Sequence, residues 1–180
     1  GSPSRRSPVP RPGSRCAPRS SRARRPSSAP APFRAAHRRR SDGSAAGTFL
    51  IKDINLGKAT AFDRKILGTT VDSLFYFVAD DGTHGAELWQ TNGTTSGTFL
   101  VKDINPGSRS AAIAAIHAFN HKVYFIADDH LNGSEFWVSD GTFLGTKLYL
   151  DLNTKNASSH PHRFFEFKET LFFNAIGKET

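Results

Sequence analysis

Residues 97–107 read GTFLVKDINPG, and variants of this sequence occur twice more along the chain. Residues 47–57 read GTFLIKDINLG, fifty residues earlier, and residues 145–153 read GTKLYLDLN, forty-eight residues later. A single active site needs its residues once, whereas a structural unit that is copied along a chain returns at a fixed spacing. The sequence therefore predicts a repeat protein with a period of 48–50 residues.

Two further sequence elements recur with the same period. A run of aromatic and aliphatic residues occupies 74–81 (LFYFVADD), 122–129 (KVYFIADD) and 170–175 (TLFFNA). A Trp-bearing run occupies 85–94 (GAELWQTNGT) and 133–142 (GSEFWVSDGT). Aromatic and β-branched residues favour strands, and Asn-Gly and Asp-Gly are typical of hairpin turns. Each recurring element is therefore predicted to form a strand.

The fourth element of the repeat is ambiguous when taken alone. Residues 111–119 read AAIAAIHAF, which could form a helix, but the counterpart at 160–168 reads HPHRFFEFK, with Pro161 and alternating Phe residues. Equivalent positions of a repeat share a structure, so both are predicted to be strands. Four short strands per repeat match the size of a propeller blade. The predicted class is all-β, an antiparallel β-repeat over residues 41–180 that forms a partial β-propeller of about two to three four-stranded blades.

The positive charge of the chain is concentrated near its N terminus. The formal net charge is +8, but residues 1–40 contain twelve Arg and no acidic residue, so residues 41–180 carry a net charge of −4. Residues 1–40 also hold eight of the ten prolines, and their only large apolar residues are Val9 and Phe33. So little apolar surface cannot offset the entropy of ordering, and this segment is predicted to be a disordered basic arm.

Four interpretations of the basic arm are open. Its Arg runs could bind nucleic acid, although no aromatic residues alternate with them to stack bases. Its Arg- and Ser-rich, acid-free composition suits an organelle transit peptide, and its prolines suit a ligand for a proline-binding domain. We favour a leader foreign to the repeat, because the chain starts Gly-Ser and the repeat begins abruptly after the arm.

The repeated residues resemble the ELWxxDGT repeat family. The resemblance rests on ELWQTNGTTSGTFLVKDINPG (87–107), on EFWVSDGTFLGTKLYLDLN (135–153) and on the preceding FVADDGTHGAELW. It implies a propeller-like scaffold within a larger, extracellular or cell-surface, mostly bacterial protein. We expect this scaffold to serve as a structural or binding module, and the sequence does not identify which protein or carbohydrate is its ligand. The family has no generally assigned catalytic residues, so the resemblance implies neither catalysis nor a cofactor.

The chain departs from this family pattern at both ends of the repeat region. Residues 37–40 read His-Arg-Arg-Arg where the pattern has Glu-Leu-Trp, and Gly177 is followed by Lys-Glu-Thr where Leu-Trp should come. We therefore expect the chain to be a fragment from which neighbouring repeats are missing.

Two sets of repeated residues are candidates for ligand binding. Trp89 and Trp137 could stack on sugars if exposed, but their repetition beside apolar residues favours a place in the core. Paired carboxylates could bind Ca²⁺, but Asp in this context more commonly caps a turn. These carboxylates are Asp80, Asp81, Asp128 and Asp129. The remaining repeat positions that we expect to be structural are Glu87, Glu135, Asp103 and Gly107.

The main alternative function is a propeller-type carbohydrate-active enzyme, a glycosidase or a lyase. Such an enzyme gathers acids and bases that are unique to single blades, whereas the acidic residues here mostly recur. We therefore expect a non-catalytic module whose binding loops include residues 80–85 and 128–133.

No apolar run approaches the ~18–20 residues of a membrane span, so the sequence predicts no membrane-spanning segment.

Overall fold

The computed structural model describes residues 36–56, 67–153 and 157–177, together with Gly1. All regular secondary structure in these ranges is β-strand, arranged in antiparallel sheets, so the predicted all-β class is confirmed. Within the same ranges there is no helix that could cross a membrane. Most of the predicted basic arm, residues 2–35, lies outside the described residues.

Twelve strands occur in the described ranges. The first six are β1 Ala36–Arg40, β2 Phe49–Asn55, β3 Gly68–Val71, β4 Leu74–Asp80, β5 Ala86–Thr91 and β6 Phe99–Lys102. The second six are β7 Ile116–Phe119, β8 Lys122–Asp128, β9 Ser134–Ser139, β10 Lys147–Leu150, β11 His162–Phe167 and β12 Thr170–Asn174.

The strands follow one another through four sheets. Strands β3–β6 form a four-stranded sheet in chain order, the first full sheet, and β7–β10 form the second full sheet. The register repeats as well, since Phe77 lies opposite Trp89 in the first and Phe125 opposite Trp137 in the second. Strands β1 and β2 form the N-terminal pair, and β11 and β12 form the C-terminal pair. By repeat position, the N-terminal pair corresponds to the last two strands of a full sheet and the C-terminal pair to the first two.

The structure corrects two boundaries that the sequence predicted. Strand β1 lies inside residues 1–40, so strand structure begins before the predicted limit of the basic arm. Residues 111–115 are not strand, and β7 begins only at Ile116. They nevertheless run along the sheet, because the Ala111 N–H donates to the Ala86 carbonyl (3.1 Å) and the Asp128 N–H donates to the Ala111 carbonyl (2.7 Å). Pairing to the sheet satisfies backbone groups that a helix would have satisfied internally.

Apolar side chains fill the space between successive sheets. Leu88 and Val101 of the first full sheet share one buried cluster with Val123, Phe125 and Trp137 of the second. Strands β4 and β8 carry apolar groups on both faces because a sheet packs against each side of them.

The same packing recurs at the two flanking pairs. Ile54 of the N-terminal pair shares a buried cluster with Phe77 and Trp89 of the first full sheet. At the other side, the ring centroid of Phe136 lies 5.4 Å from that of Phe164 and 4.5 Å from that of Phe173 in the C-terminal pair. Each sheet is therefore a layer that depends on its neighbours for burial.

Both tryptophans belong to these inter-sheet cores. Trp89 and Trp137 are each 5% exposed, so neither presents a ring face to a sugar.

Replacing either Trp with Ala removes a large buried ring, and we expect the free energy of unfolding to fall by about 3–5 kcal/mol. Urea unfolding of the full chain, followed by circular dichroism, measures this change. The matched control is Phe143→Ala, because Phe143 is 62% exposed and its removal should change stability by less than about 0.5 kcal/mol. Equal effects of the three substitutions would contradict the core role.

Candidate functional site

The Glu two residues before each Trp is fully buried and binds backbone. Glu87 in β5 has no exposed surface, and its carboxylate accepts hydrogen bonds from the N–H of Ile104 (3.0 Å) and of Asn105 (3.4 Å). These two N–H groups lie just beyond β6, where the chain leaves the first full sheet. A strand that ends has no ladder partner for its next donors, and Glu87 supplies the acceptor.

Glu135 does the same for the second full sheet. It is also fully buried, and it accepts hydrogen bonds from the N–H of Leu152 (3.2 Å), from the N–H of Ser159 (2.7 Å) and from the Ser159 hydroxyl. Both Glu residues therefore hold a connector, defined here as the segment between the last strand of one sheet and the first strand of the next. The connectors are residues 103–115 and, leaving out 154–156, which lie outside the described residues, residues 151–153 and 157–161. The Glu-x-Trp spacing puts the carboxylate and the indole on the same face of one strand.

Burial also changes the protonation of Glu87. Desolvation raises the pKa of Glu87 to about 8, although the hydrogen bonds from Ile104 and Asn105 act in the opposite direction. A carboxyl group with a raised pKa is a common feature of catalytic acids. Glu87, however, has no exposed surface through which a substrate could reach it. Its role in this arrangement is to fasten the connector.

Side chains of DINPG (103–107), one copy of the repeated motif, shape the first connector. The Asp103 carboxylate accepts a hydrogen bond from the N–H of Gly107 (3.3 Å), which has a φ of +99°. The Asn105 side-chain amide donates to the Ser110 carbonyl (3.1 Å), and the equivalent Asn153 donates five residues ahead in the same way. The predicted structural positions Asp103 and Gly107 therefore lie in one turn.

The first connector is packed against the turn between β4 and β5. The Ala86 N–H donates to the Ser110 hydroxyl (3.0 Å). A Cβ atom on Gly85 would lie 2.5 Å from the backbone of Arg109, and the φ of Gly85 is +72°. Only glycine fits this position without a shift of the backbone. The connectors and the turns between the second and third strands thus lie at one end of the sheets, which we call the connector end.

The four candidate Ca²⁺ carboxylates accept hydrogen bonds within these turns. Asp80 accepts one from the N–H of Gly82 (2.6 Å), and Asp81 accepts two from the N–H groups of Thr83 (2.8 Å) and His84 (2.9 Å). The second turn repeats this pattern, with Asp128 bound to the His130 N–H and Asp129 bound to the N–H groups of Leu131 and Asn132. In the described part of the chain, no three His, Cys, Asp or Glu side chains converge as a metal site would require.

His84 forms an ion pair inside the first turn. Its Nδ1 lies 2.7 Å from the Asp81 carboxylate, and this hydrogen bond raises the pKa of His84. Burial raises the pKa of Asp81, but the hydrogen bonds from His84 and Thr83 outweigh that effect and lower it. The pair therefore adds rigidity to the turn while Asp81 is ionised and His84 is protonated.

The opposite end of each full sheet holds a hydroxyl pair that sequence reasoning missed. The hydroxyls of Thr91 and Thr98 are 2.6 Å apart, and those of Ser139 and Thr146 are 2.7 Å apart. Both pairs close the turn that follows the buried Trp, and in each pair the two hydroxyl residues are seven positions apart. The signal was visible, since a hydroxyl residue precedes the Asn-Gly or Asp-Gly step and another follows seven residues later.

The connector end carries an open groove between the two full sheets. Its volume is about 440 Å³. It is lined by Asn105, Pro106, Ser108, Arg109, Asp129, His130 and Leu131. The guanidinium of Arg109 donates to His130 Nε2 (2.6 Å), and Leu131 is 69% exposed. The groove combines a cation, hydrogen-bonding groups and an apolar side chain, which suits a polar ligand with an apolar part.

The predicted binding loop 128–133 contributes Asp129, His130 and Leu131 to the groove lining, whereas the predicted loop 80–85 contributes no residue to it. The sequence gave no reason to place Arg109 beside the first of these loops. Of the candidate Ca²⁺ ligands, Asp129 lines the groove, and the tryptophans lie in the cores between sheets. We take the groove as the candidate binding site.

Comparison of the chain with protein-family models, with curated proteins and with solved structures gave no match. The resemblance to the ELWxxDGT repeats therefore stays a prediction from the quoted motifs, and the groove has to be interpreted from its own chemistry.

The raised pKa of Glu87 predicts that stability falls as the pH rises from about 5 to above 8. The folded state keeps the proton up to a pKa of about 8, whereas the unfolded chain releases it near 4.5, so the folded state binds more protons in this window. The loss should reach at most about 1.4 kcal/mol per pH unit. Urea unfolding of the full chain at several pH values measures this slope.

Glu87→Gln should reduce that slope, because the variant has no proton to lose. The slope that remains belongs partly to His84, whose raised pKa acts in the same direction. Glu166→Gln is the matched control, since it makes the same chemical change at an exposed position. An unchanged slope in Glu87→Gln would show that Glu87 is already ionised in the folded protein at pH 5.

Proposed function

We propose that the chain is a non-catalytic β-repeat module that binds a protein or carbohydrate ligand at its connector end. The observation that carries this proposal is the use of its recurring acidic residues: Glu87, Glu135, Asp81 and Asp129 accept hydrogen bonds from backbone N–H groups. The groove beside them remains open, with exposed side chains of mixed character.

We also propose a propeller-like arrangement of the sheets. Support comes from successive four-stranded antiparallel meanders with one shared register, each packed face to face on the next. Blades of a propeller have this strand order and this packing. Together with the quoted motifs, this arrangement favours a module of an extracellular or cell-surface protein built from ELWxxDGT-type repeats.

The enzyme alternative rests on Glu87, whose pKa is raised to about 8. A general acid must reach the proton acceptor within hydrogen-bond distance. The burial of Glu87 and its contacts with Ile104 and Asn105 oppose such a role. We therefore favour binding over catalysis at this end of the sheets.

Nucleic-acid binding through the Arg residues next to the repeat is also disfavoured. The guanidinium of Arg38 lies 4.3 Å from the ring centroid of Phe77, and that of Arg40 lies 5.1 Å from the ring centroid of Phe49. These cations stack on aromatic rings of the fold.

The binding proposal is tested by comparing two exposed leucines at opposite ends of the second full sheet. Leu131 lies in the groove and is 69% exposed, and Leu144 lies in the opposite turn and is 86% exposed. The full chain is screened on a printed oligosaccharide array and on immobilised collagen, fibronectin and fibrinogen. For any probe that binds, Leu131→Ala and Arg109→Ala should weaken binding about tenfold or more, and Leu144→Ala should not. Equal loss in Leu144→Ala, or binding unaffected by the groove variants, would place the binding surface elsewhere.

A further inference from the structure

A pocket of about 270 Å³ lies between the second full sheet and the C-terminal pair. Six apolar or aromatic side chains form most of its wall: Phe119, Tyr124, Phe136, Tyr149, Leu171 and Phe173. Tyr149 is 55% exposed, although it is a large aromatic residue in a strand.

One repeat earlier, the side chains at the same six repeat positions are buried. The residues forty-eight positions earlier are Val71, Tyr76, Leu88, Val101, Val123 and Phe125. All six belong to the buried cluster that contains Trp137, and Val101, the counterpart of Tyr149, is only 4% exposed. In a complete sheet the C-terminal pair would supply the first two strands, and the residue equivalent to Trp137 would lie on the third. The pocket is the space that this residue would fill.

Among the described strands, β1 is suited to serve as the missing third strand of this sheet. Strand β12 corresponds to the second strand of a full sheet, and within the described ranges it pairs only with β11. Strand β1 corresponds to the third strand, and it pairs only with β2 there. The residue of β1 that stands fifty positions before Trp89 is Arg39, which is exposed.

We propose that a second copy of this chain completes the sheet: β1 of one copy pairs antiparallel with β12 of the other, and Arg39 enters the aromatic pocket. The proposal rests on the repeat architecture of the proposed function. Strands β11 and β12 of one copy supply the first two strands of a sheet, and β1 and β2 of the other copy supply the last two. Together they form one four-stranded sheet.

The pocket has the chemistry that a guanidinium requires. The rings of Tyr124 and Tyr149 meet edge to face at 5.6 Å, and Phe136 lies 5.4 Å from Tyr149, so aromatic surface surrounds the space. Glu169 lines the same pocket and provides an opposite charge. Arginine is weakly hydrated for a cation and stacks on aromatic faces, so it can replace a Trp at such a position.

The number of copies follows from the sheets. The described residues of each copy contribute two full sheets and two pairs, so these residues of two copies in a closed ring form four full and two composite sheets. Six sheets lie within the range of roughly four to eight that propellers close with, whereas three copies would form nine. The expected assembly is therefore a closed dimer.

The register of the composite sheet follows from the full sheets. Tyr76 lies opposite Gln90 and Tyr124 lies opposite Val138. The equivalent partners between copies are Phe172 and Arg40. Both are exposed in the single chain.

Cysteine cross-linking tests this register on the full chain, with Cys16→Ser as background because Cys16 is the only native cysteine. Phe172→Cys and Arg40→Cys chains are mixed and oxidised. Opposite positions in a sheet lie close enough for a disulfide, so the mixture should give a cross-linked dimer. The matched control replaces Arg40→Cys by Phe99→Cys, which is 40% exposed on β6 and should not cross-link. Equal cross-linking of both mixtures, or none, overturns the proposed pairing.

Sedimentation equilibrium tests the role of the pocket. The unmodified chain should have the mass of a dimer, and Arg39→Ala should raise the dimer dissociation constant about tenfold or more. Arg163→Ala is the control, since it removes an exposed Arg from β11 outside the pocket. A monomeric mass, a polydisperse series of larger assemblies, or equal effects of the two substitutions overturns the proposal.

The two proposals fail separately. A chain that cross-links as a dimer but binds no probe at the connector end loses the binding function and keeps the dimer. A monomer whose binding depends on Leu131 and Arg109 keeps the binding function and loses the dimer.

Discussion

The bond from a buried Glu carboxylate to the backbone of the connector is the interaction on which the repeat depends. Glu87 and Glu135 are the second residues of the third strands of their sheets, and their hydrogen-bond donors lie where the chain leaves for the next sheet. A buried carboxyl group without such donors would leave polar atoms unpaired and destabilise the fold. The same contact therefore satisfies the carboxylate and fixes the direction in which the next sheet begins.

Once the connector is fixed, each sheet packs on the next through equivalent positions, but the side chains there vary. The position is Arg38 at the N-terminal pair, Leu88 in the first full sheet and Phe136 in the second. Arg38 lies 4.3 Å from the ring centroid of Phe77, and Phe136 lies 4.5 Å from that of Phe173. A guanidinium, an isobutyl group and a phenyl ring all fit because each covers an apolar surface. Arg38 shows that this fold already accepts arginine at an inter-sheet contact.

Sequence reasoning recovered the strands and the repeat because the residues that encode them are local and recur. One copy of the repeat already shows the alternation of apolar and polar residues, the Asn-Gly or Asp-Gly turn and the Trp position. The next copy of the repeat shows the same features again. It placed the start of strand structure too late, because the Arg-rich composition of β1 concealed a strand whose cations stack on rings. The groove could not be predicted, because Arg109 and His130 are brought together by a connector whose path depends on Glu87 and Gly85.

Amide hydrogen exchange at the connectors measures the central interaction most directly. The N–H groups of Ile104 and Leu152 lie outside the strands, and their hydrogen bonds run to Glu87 and Glu135. If these bonds fasten the connectors, both amides exchange as slowly as those of the central strands β4 and β8. If both exchange as fast as the amide of exposed Leu144, the Glu contacts are not what orders the connectors, and the account of the repeat is wrong.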